Sequence, residues 1–404
     1  MNKSTMKTKH THFDVIIVGG GLAGLSLACL LGQLNLKIAC IDAANPKTQQ
    51  KADERTTAIS FGSREILTQA RIWPHIPTNQ QCPIQDIEIL DGSSSVLLDF
   101  MANETGRDAF GWIVDNRDLR AAMMKQLKSQ KNIKHIAPAT VQDFDVGEDS
   151  AQLTTADGKT FSANLIIGAD GRRSSMRDWM GVETRQWSYR QRAVICIAGH
   201  ENPHNNVAVE HFMPEGPFAI LPMADDKKGQ HRSSIVFTEH RPERESLMNL
   251  SDKDFEIALA ARFPERYGDI QLLSKRMSYP LGLVHDGQYI KPRMALVADA
   301  AHGIHPIAGQ GLNLGFRDIK CLADLITAAQ TAGEDIGSDT LLQTYQRRRR
   351  PDNMAMVAAT DGLNRLFSNN MKSLGILRKL GLRAVAKIPP AKKFFMKQAM
   401  GDIR

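Results

Sequence analysis

A glycine-rich turn between two apolar runs constrains this chain more than any other feature of its sequence. Residues 13–18 (FDVIIV) are typical of a buried parallel strand, and residues 19–24 (GGGLAG) follow directly. Residues 22–34 are predicted to be helical, and residues 37–42 (KIACID) form a second buried strand. Glycines at G-x-G-x-x-G spacing allow a tight turn and let a pyrophosphate approach the helix N-terminus, where unpaired N–H groups favour anions. The pattern predicts a dinucleotide-binding βαβ unit.

Asp42 ends the second strand, 18 residues after Gly24. An acid at this position accepts hydrogen bonds from a ribose hydroxyl. Gly19, Gly21, Gly24 and Asp42 are therefore the first predicted cofactor contacts. This unit alone does not distinguish NAD from FAD.

Two further motifs follow buried strands. Residues 168–177 (GADGRRSSMR) come after one apolar run, and taken alone they could be a strand end with Ser174 capping a helix. Residues 298–315 follow the run at 295–298 and lead into a long helix. The N-terminus of that helix can place a positive dipole beside a ring that becomes anionic.

In this order, the three motifs resemble the flavoprotein aromatic hydroxylases of the p-hydroxybenzoate hydroxylase fold. Within that group, the sequence most resembles the ubiquinone-biosynthesis hydroxylases. The resemblance runs over almost the whole chain, and residues 298–315 are its most specific part. The stretches that carry it are DERTTAIS (53–60), VDNRDL (114–119), HPIAGQGLNLG (305–315) and AMG (399–401).

This resemblance implies an FAD-dependent monooxygenase with NADPH or NADH as electron donor and O2 as co-substrate. The reaction it implies is ring hydroxylation of a polyprenylated phenol through a flavin C4a-hydroperoxide, with the 2-polyprenyl-6-methoxyphenol step favoured and no metal. Alternatives left open are another ring position, a flavin-dependent isoprenoid reductase or epoxidase, and a non-catalytic subunit of the pathway complex.

The resemblance also implies the role of individual residues. Gly19, Gly21 and Gly24 would hold the FAD pyrophosphate, and Asp42 would hold the adenosine ribose. Further implied cofactor contacts are Arg55, Arg117, Asp170, Gly171, Asp299, Gly309, Gln310, Gly311, Leu312 and Asn313. Of these, Arg117 is either a flavin-side contact or an exposed arginine beside a helix start.

The predicted catalytic residues are His305 and Pro306, since Pro306 fixes the local backbone and an imidazole near neutral pKa could accept a phenolic proton. His302 is expected to satisfy backbone groups instead. Ala298 stands where the family usually has glycine, which predicts a small packing change. Residues 347–350 (RRRR) are expected to end a helix as a solvated run.

The predicted fold is α/β, a Rossmann-like FAD-binding domain interleaved with a β-sheet substrate domain and followed by C-terminal helices. The FAD-binding domain is assigned residues 1–75, 103–183 and 286–355, the substrate domain 76–102 and 184–285, and the basic helical segment 356–404.

Composition excludes several classes of protein. The chain has 404 residues, 42% hydrophobic and 24% charged, which excludes a largely disordered chain. Five scattered cysteines without C-x-x-C spacing fit a reducing compartment, and the absence of a long uninterrupted apolar run predicts a cytoplasmic protein without a membrane-spanning helix.

Charge is concentrated in one segment. Residues 371–404 contain nine basic residues and one acid, whereas residues 1–370 sum to −1, so we expect no nucleic-acid partner. The segment is also apolar in places. It is either a helical cap with solvated lysines or a surface for an anionic membrane face or an acidic partner. Expected partners are the prenylated phenol and subunits of a ubiquinone-biosynthesis complex.

Overall fold

The computed structural model describes residues 11–92, 97–213, 216–240, 243–303, 309–367, 381–382 and 385–401. In chain order the strands are β1 (Thr11–Val18), β2 (Ile38–Ile41), β3 (Thr56–Ser60), β4 (Cys82–Ile84), β5 (Asp86–Asp91), β6 (Leu98–Met101), β7 (Gly111–Asp115), β8 (Ile133–Ile136), β9 (Val141–Val146), β10 (Ala151–Thr155), β11 (Thr160–Gly168), β12 (Thr184–His200), β13 (Val207–Met213), β14 (Gly216–Met223), β15 (His231–Glu239), β16 (Ile270–Leu272), β17 (Met277–Asp286), β18 (Ile290–Lys291), β19 (Met294–Leu296) and β20 (His302–Gly303). The helices are α1 (Leu22–Leu31), α2 (Pro46–Ala52), α3 (Phe61–Gln69), α4 (Asn116–Ser129), α5 (Ser175–Trp179), α6 (Asp252–Ala260), α7 (Gln310–Ala332), α8 (Asp339–Phe367) and α9 (Pro389–Met400).

The first sheet has a parallel centre in the order β19-β11-β1-β2-β8. Val18 at the end of β1 is in register with Gly168 of β11 and with Ile41 of β2. The central strands lie in the main core, where α1 packs against β1 and β2 while α4 and α7 pack against α1, and this burial explains their continuous apolar sequences. The predicted βαβ unit is confirmed, with its helix ending three residues earlier than expected.

The second sheet is mostly antiparallel, in the order β20-β17-β12-β15-β14-β13-β5-β6, with β16 also paired to β12. One face packs against α6, where Phe255 and Leu259 join a core with Phe218 and Phe237. The other face borders an apolar cavity. The strands of a third small sheet, β3-β7-β4, are interspersed in sequence with those of the larger two, and this sheet contacts both α7 and β14.

The chain therefore leaves the first sheet and returns to it, as the prediction of two interleaved domains requires. The α/β fold is confirmed. The domain division itself stays a prediction. Its boundary at residues 355 and 356 falls inside α8, which is a single helix in the structure.

The expectation that residues 347–350 end a helix is wrong. Helix α8 continues through Pro351 to Phe367. The reason is tertiary, because Arg349 is buried and its guanidinium is held by Asp318 of α7. Packing along the helix thus outweighs the hydrogen bond that proline removes.

Helix α9 packs against the second and third sheets. Met396 and Met400 are fully buried there, and Lys392 Nζ donates to Glu104 at 2.7 Å. Within the described residues, no helix is long and apolar enough to cross a membrane.

Candidate active site

The predicted cofactor residues lie along one edge of the first sheet. Because β1, β2, β11 and β19 run parallel, their carboxyl ends meet at that edge. The glycine turn follows β1, Asp42 follows β2, and Asp170 follows β11. Asp299 lies just after β19. The structure thus brings all three sequence motifs together.

The glycines of the turn serve two purposes. Gly19 has φ +111°, and a Cβ atom there would collide with the carbonyl oxygen of Ala169. A Cβ atom on Gly24 would collide with the carbonyl oxygen of Gly19. Gly21, in contrast, faces open space. The outer two glycines permit close packing, and Gly21 leaves the helix N-terminus accessible to a phosphate.

A buried arginine supports this turn and was missed from the sequence. Arg120 Nη1 donates to the carbonyl oxygen of Gly20 at 2.9 Å and to Gln49 Oε1 at 2.8 Å. Its Nε is buried and has no partner among the described residues. Burial lowers the pKa of Arg120, although Asp53 and Asp42 oppose that effect.

Arg117, the arginine that the resemblance selected, lies one helical turn earlier on α4 and is exposed. It borders a separate cavity of about 970 Å³ that is lined by charged side chains of both signs. The apolar stripe of α4 was the available signal, because Arg120 falls in register with the buried Leu119, Met123 and Leu127, whereas Arg117 falls outside that stripe.

Arg55 is held in place by its own motif. Its Nε and Nη2 donate to the two oxygens of Asp53 at 2.7 and 2.8 Å, and Asn116 Nδ2 donates to the same carboxylate at 3.1 Å. The bonds from Arg55 and Asn116 outweigh burial and lower the pKa of Asp53. The guanidinium carbon of Arg55 lies 5.9 Å from the centre of the Tyr279 ring. This clamp fixes the orientation of Arg55, and its role as a cofactor contact stays a prediction.

Asp170 organises the second motif. It accepts hydrogen bonds from Ser174 Oγ at 2.5 Å and from the Met176 amide at 3.2 Å, while Ser174 caps α5. Burial raises the pKa of Asp170 despite these bonds. Gly171 has φ +82° and faces open space. The predicted cap at Ser174 is confirmed, and Gly171 is the part of the motif that a ligand could approach.

The third motif begins with a strained residue. Ala298 has φ 54°, in the left-handed region that favours glycine, which is the residue that the resemblance led us to expect at this position. A Cβ atom at Gly315 of α7 would lie 2.6 Å from the Ala298 Cβ. Asp299 is half-exposed, with Oδ2 3.7 Å from Arg172 Nε.

A fully buried carboxylate, Asp318, ties this motif to two helices. Its Oδ2 accepts from the Ala298 amide at 3.0 Å and from His302 Nε2 at 2.5 Å. Its Oδ1 accepts from Arg349 Nε at 2.8 Å and from Asn353 Nδ2 at 3.2 Å. Burial alone would raise the pKa of Asp318, but His302 and Arg349 hold it well below its usual range.

The expected partner of His302 is therefore wrong: Nε2 bonds the Asp318 carboxylate, and Nδ1 is buried without a partner among the described residues. Asp318 was missed because its partners lie 16 to 35 residues away in sequence.

The start of α7 forms the next wall of the site. Gly309 caps the helix with φ 60°, and Gln310, Gly311 and Leu312 form its first turn. Asn313 donates to the carbonyl oxygens of Ala58 and Gly309 at 2.9 and 3.0 Å and accepts from the Ser60 amide at 3.0 Å. Asn313 thereby fastens α7 to β3. His305 and Pro306 lie outside the described residues.

An apolar cavity of about 800 Å³ opens beside α7. Gly309, Gln310 and Asn313 border one side, and the second sheet contributes β5, β6, β13, β14 and β15. Helices α8 and α9 complete the lining, with Leu363 and Phe394 among their residues. Sites for small molecules are commonly about 300–1,000 Å³, largely apolar and supplied with a few polar groups.

The sheet edge fits a flavin dinucleotide. Gly21 and Gly171 leave open space, Arg120 offers a buried Nε that no described residue pairs, and Asp42 stands at the end of the second strand. The edge continues to the start of α7, where the cavity begins. Among the described residues, no group of histidine, cysteine and acidic side chains could hold a metal ion.

Comparison with known proteins agrees with this geometry. A profile of the FAD binding domain family matches residues 12–360. The chain is 40% identical over 393 residues to the ubiquinone hydroxylase UbiL of Rhodospirillum rubrum, covering 97% of this chain and 90% of that protein. It is 32% identical over 391 residues to the 3-demethoxyubiquinol 3-hydroxylase of Escherichia coli, covering 96% and 98% respectively.

Among solved structures, p-nitrophenol 4-monooxygenase PnpA of Pseudomonas putida superposes with a TM-score of 0.79 at 17% identity, covering 96% of this chain and 98% of that one. At this identity the likeness shows a shared fold. Together with the family match, it means that the chain belongs to the FAD binding domain family and is an FAD-dependent monooxygenase related to the ubiquinone hydroxylases.

Proposed function

We propose that the protein hydroxylates the aromatic ring of a polyprenylated phenol in ubiquinone biosynthesis, at the 2-polyprenyl-6-methoxyphenol step. The electron donor in this proposal is NADPH or NADH, and O2 is the co-substrate. The observation that carries the proposal is the cavity, which runs from the start of α7 along an apolar sheet face to α9.

The lining of the cavity suits such a substrate at both ends. Near α7 the polar side chain of Gln310 borders it, as a phenolic head group requires. Farther along, Leu382, Val385 and Phe394 give only apolar surface, as an isoprenoid tail requires.

FAD, when bound at the sheet edge, would supply the redox chemistry with the donor and O2. The chain's own residues would do the rest. Gly21 and Arg120 would hold the pyrophosphate side, and Asp42 would hold the ribose. The walls from the second sheet and α9 would fix the ring and exclude water from the site.

The direct test is turnover by the purified protein with FAD, a short-chain 2-prenyl-6-methoxyphenol, NADPH or NADH, and ¹⁸O2. We expect donor oxidation that depends on the phenol and a product that carries one labelled oxygen on the ring. A product without label would indicate a reductase, and label on the chain would indicate an epoxidase. Either result would overturn the proposal.

The ring position has its own test. Mass spectrometry of quinone precursors in a strain lacking the gene should show accumulation of 2-polyprenyl-6-methoxyphenol. Accumulation of a later intermediate, already oxygenated at that carbon, would assign the protein to another hydroxylation.

We also propose that the basic C-terminal segment contacts an anionic membrane surface. Ile388, Phe394 and Phe395 are 50%, 58% and 47% exposed, and the two phenylalanines also border the cavity. Exposed Lys393 and Lys397 accompany them on α9. Basic side chains near an anionic bilayer contribute roughly 1 kcal/mol each.

Flotation with vesicles containing phosphatidylglycerol at low salt tests this contact. The wild-type protein should float, and Phe394→Ser with Phe395→Ser should remain with the soluble fraction. Wild-type protein that stays soluble would refute membrane binding. In that case, a pathway subunit captured by the same segment would be the next partner to test.

A further inference from the structure

One acidic side chain, Glu210, interrupts the apolar sheet face of the cavity. Glu210 lies on β13, in register with Ile89 of β5 and Ala219 of β14. Ile89 pairs in turn with Leu98, and Ala219 pairs with Val236. All five residues of this row line the cavity, so a carboxylate occupies the middle of a row that is otherwise aliphatic.

Nothing described in the structure neutralises this carboxylate. Asp352 of α8 is the other titratable side chain of the lining among the described residues, and it is paired with Arg317 and Arg349. Glu210 has no hydrogen bond or ion pair with a described residue, and its accessible surface faces the cavity. Burial raises the pKa of Glu210 to about 7.

A carboxylate in such surroundings is costly unless a ligand supplies the missing donor. A second polar group lies on the same face, since Thr238 of β15 lines the cavity and its buried Oγ1 has no partner among the described residues. An aliphatic tail would leave the Glu210 carboxylate unsatisfied, whereas a ring hydroxyl would supply the donor that it lacks.

We infer that Glu210 binds the hydroxyl of the phenolic ring and accepts its proton during hydroxylation, which makes it a catalytic residue. This inference rests on the proposed function. In the step, the phenol O–H bond breaks and the proton passes to a Glu210 oxygen. The carboxylate becomes a carboxylic acid, the phenol becomes a phenolate, and the added electron density activates the ring carbons.

The pKa of the acceptor suits this transfer. A phenol loses its proton near pH ~10, and a carboxylate with a pKa about 7 is a stronger base than an ordinary glutamate. We therefore expect hydroxylation by the wild-type enzyme to rise as the pH increases through about 7.

The experiment compares wild-type holoenzyme with Glu210→Gln and Glu210→Asp, on a short-chain prenylated phenol between pH 5.5 and 9. General-base catalysis typically contributes 10²–10⁴-fold, so Glu210→Gln should lose roughly 100-fold in kcat and also lose the pH step. Glu210→Asp keeps a carboxylate, and it should keep the step with reduced kcat. The exposed Glu148→Gln, in the loop between β9 and β10, is the matched control and should behave as wild type.

A binding measurement separates this inference from the proposed function. The phenol and its deoxy analogue, the same prenylated ring without the hydroxyl, are titrated into oxidised holoenzyme and followed by flavin absorbance. Glu210→Gln should weaken binding of the phenol and leave binding of the deoxy analogue unchanged.

Two results would overturn the inference. One is a Glu210→Gln enzyme that keeps the wild-type pH step, whether or not His305→Gln removes it. The other is equal weakening of binding for both ligands. If wild-type protein binds and converts no prenylated phenol, the proposed function fails and the role of Glu210 fails with it. If conversion occurs with the step unchanged in Glu210→Gln, only the role of Glu210 fails.

Discussion

Ala298 adopts a backbone conformation that its side chain disfavours, and the strain should be measurable. A left-handed conformation costs an L-residue with a Cβ roughly 1–2 kcal/mol, and glycine avoids most of that cost. We expect Ala298→Gly to raise the free energy of unfolding by about 1 kcal/mol. Thermal unfolding of holo and apo protein would show this, and a lower melting temperature would contradict it.

Gly315 tests the same contact from the helix side. Because a Cβ atom there would lie 2.6 Å from the Ala298 Cβ, Gly315→Ala should destabilise the protein by roughly 1–3 kcal/mol. In an Ala298→Gly background the loss should be smaller. Strictly additive effects in this double-mutant cycle would mean that the two residues do not interact.

Asp318 should be far more sensitive to substitution. Asp318→Asn leaves Arg349 buried beside a neutral group, and breaking a buried pair in this way typically costs 3–5 kcal/mol. The exposed Asp324→Asn, which removes an i,i+4 pair with Lys320, is the control and should cost about 0.5 kcal/mol or less. Chemical denaturation at pH 7 would compare the two variants.

The sign of the pH dependence follows from the lowered pKa of Asp318. The unfolded chain protonates this carboxylate near pH ~4, whereas the folded chain does so only in stronger acid. Its stabilising contribution is therefore present above pH ~4 and lost as the pH falls further. The stability gap between wild type and Asp318→Asn should stay constant from pH 5 to 8 and close only below that window.

Arg120 connects helix α4 to the glycine turn that follows β1. A hydrogen bond from a charged group contributes about 1.5–3 kcal/mol, so Arg120→Met should weaken FAD binding by roughly 10- to 100-fold. Arg117→Met, on the exposed face of the same helix, should leave FAD affinity unchanged. Fluorescence titration of apoprotein with FAD measures both, and equal losses would show that Arg120 has no special role.

Elements whose chemistry is local could be predicted from the sequence. The strand, turn and helix around Gly19 follow from apolar periodicity and glycine spacing, and Ser174 was predicted as a helix cap. Elements that depend on distant partners could not. Helix α8 continues past Pro351 because Arg349 forms an ion pair with Asp318. No local sequence pattern predicts that pairing.

The candidate site likewise has one part that could be predicted from the sequence and one part that could not. Its cofactor edge carries motifs that can be read in sequence, whereas the cavity is assembled from strands and helices that are far apart along the chain. Glu210 lies in an alternating strand like many others, and only the register of β13 with β5 and β14 places it in an apolar row.

For the whole molecule, the docking of α9 completes the cavity. Met396 and Met400 are buried residues of α9 itself. Truncating a buried methionine to alanine costs about 2–5 kcal/mol. We expect Met396→Ala to weaken binding of a prenylated phenol several-fold while FAD content stays at the wild-type level, because Met396 packs in the core beside the second and third sheets and away from the glycine turn. Met354→Ala, at a half-exposed position of α8, is the control. Loss of FAD together with substrate binding would show that the two regions fold as one unit.

Because α9 lies near the end of the sequence, the wall that it contributes to the cavity is synthesised last. During synthesis, every strand of the first sheet and all of α7 leave the ribosome before residues 381–401 do. All residues of the FAD-binding edge are therefore synthesised while the apolar cavity beside it still lacks the wall formed by α9. We expect a released chain truncated after residue 367 to keep the FAD-binding edge and to leave the apolar half of the site exposed. Cofactor loading can thus precede the closing of the cavity.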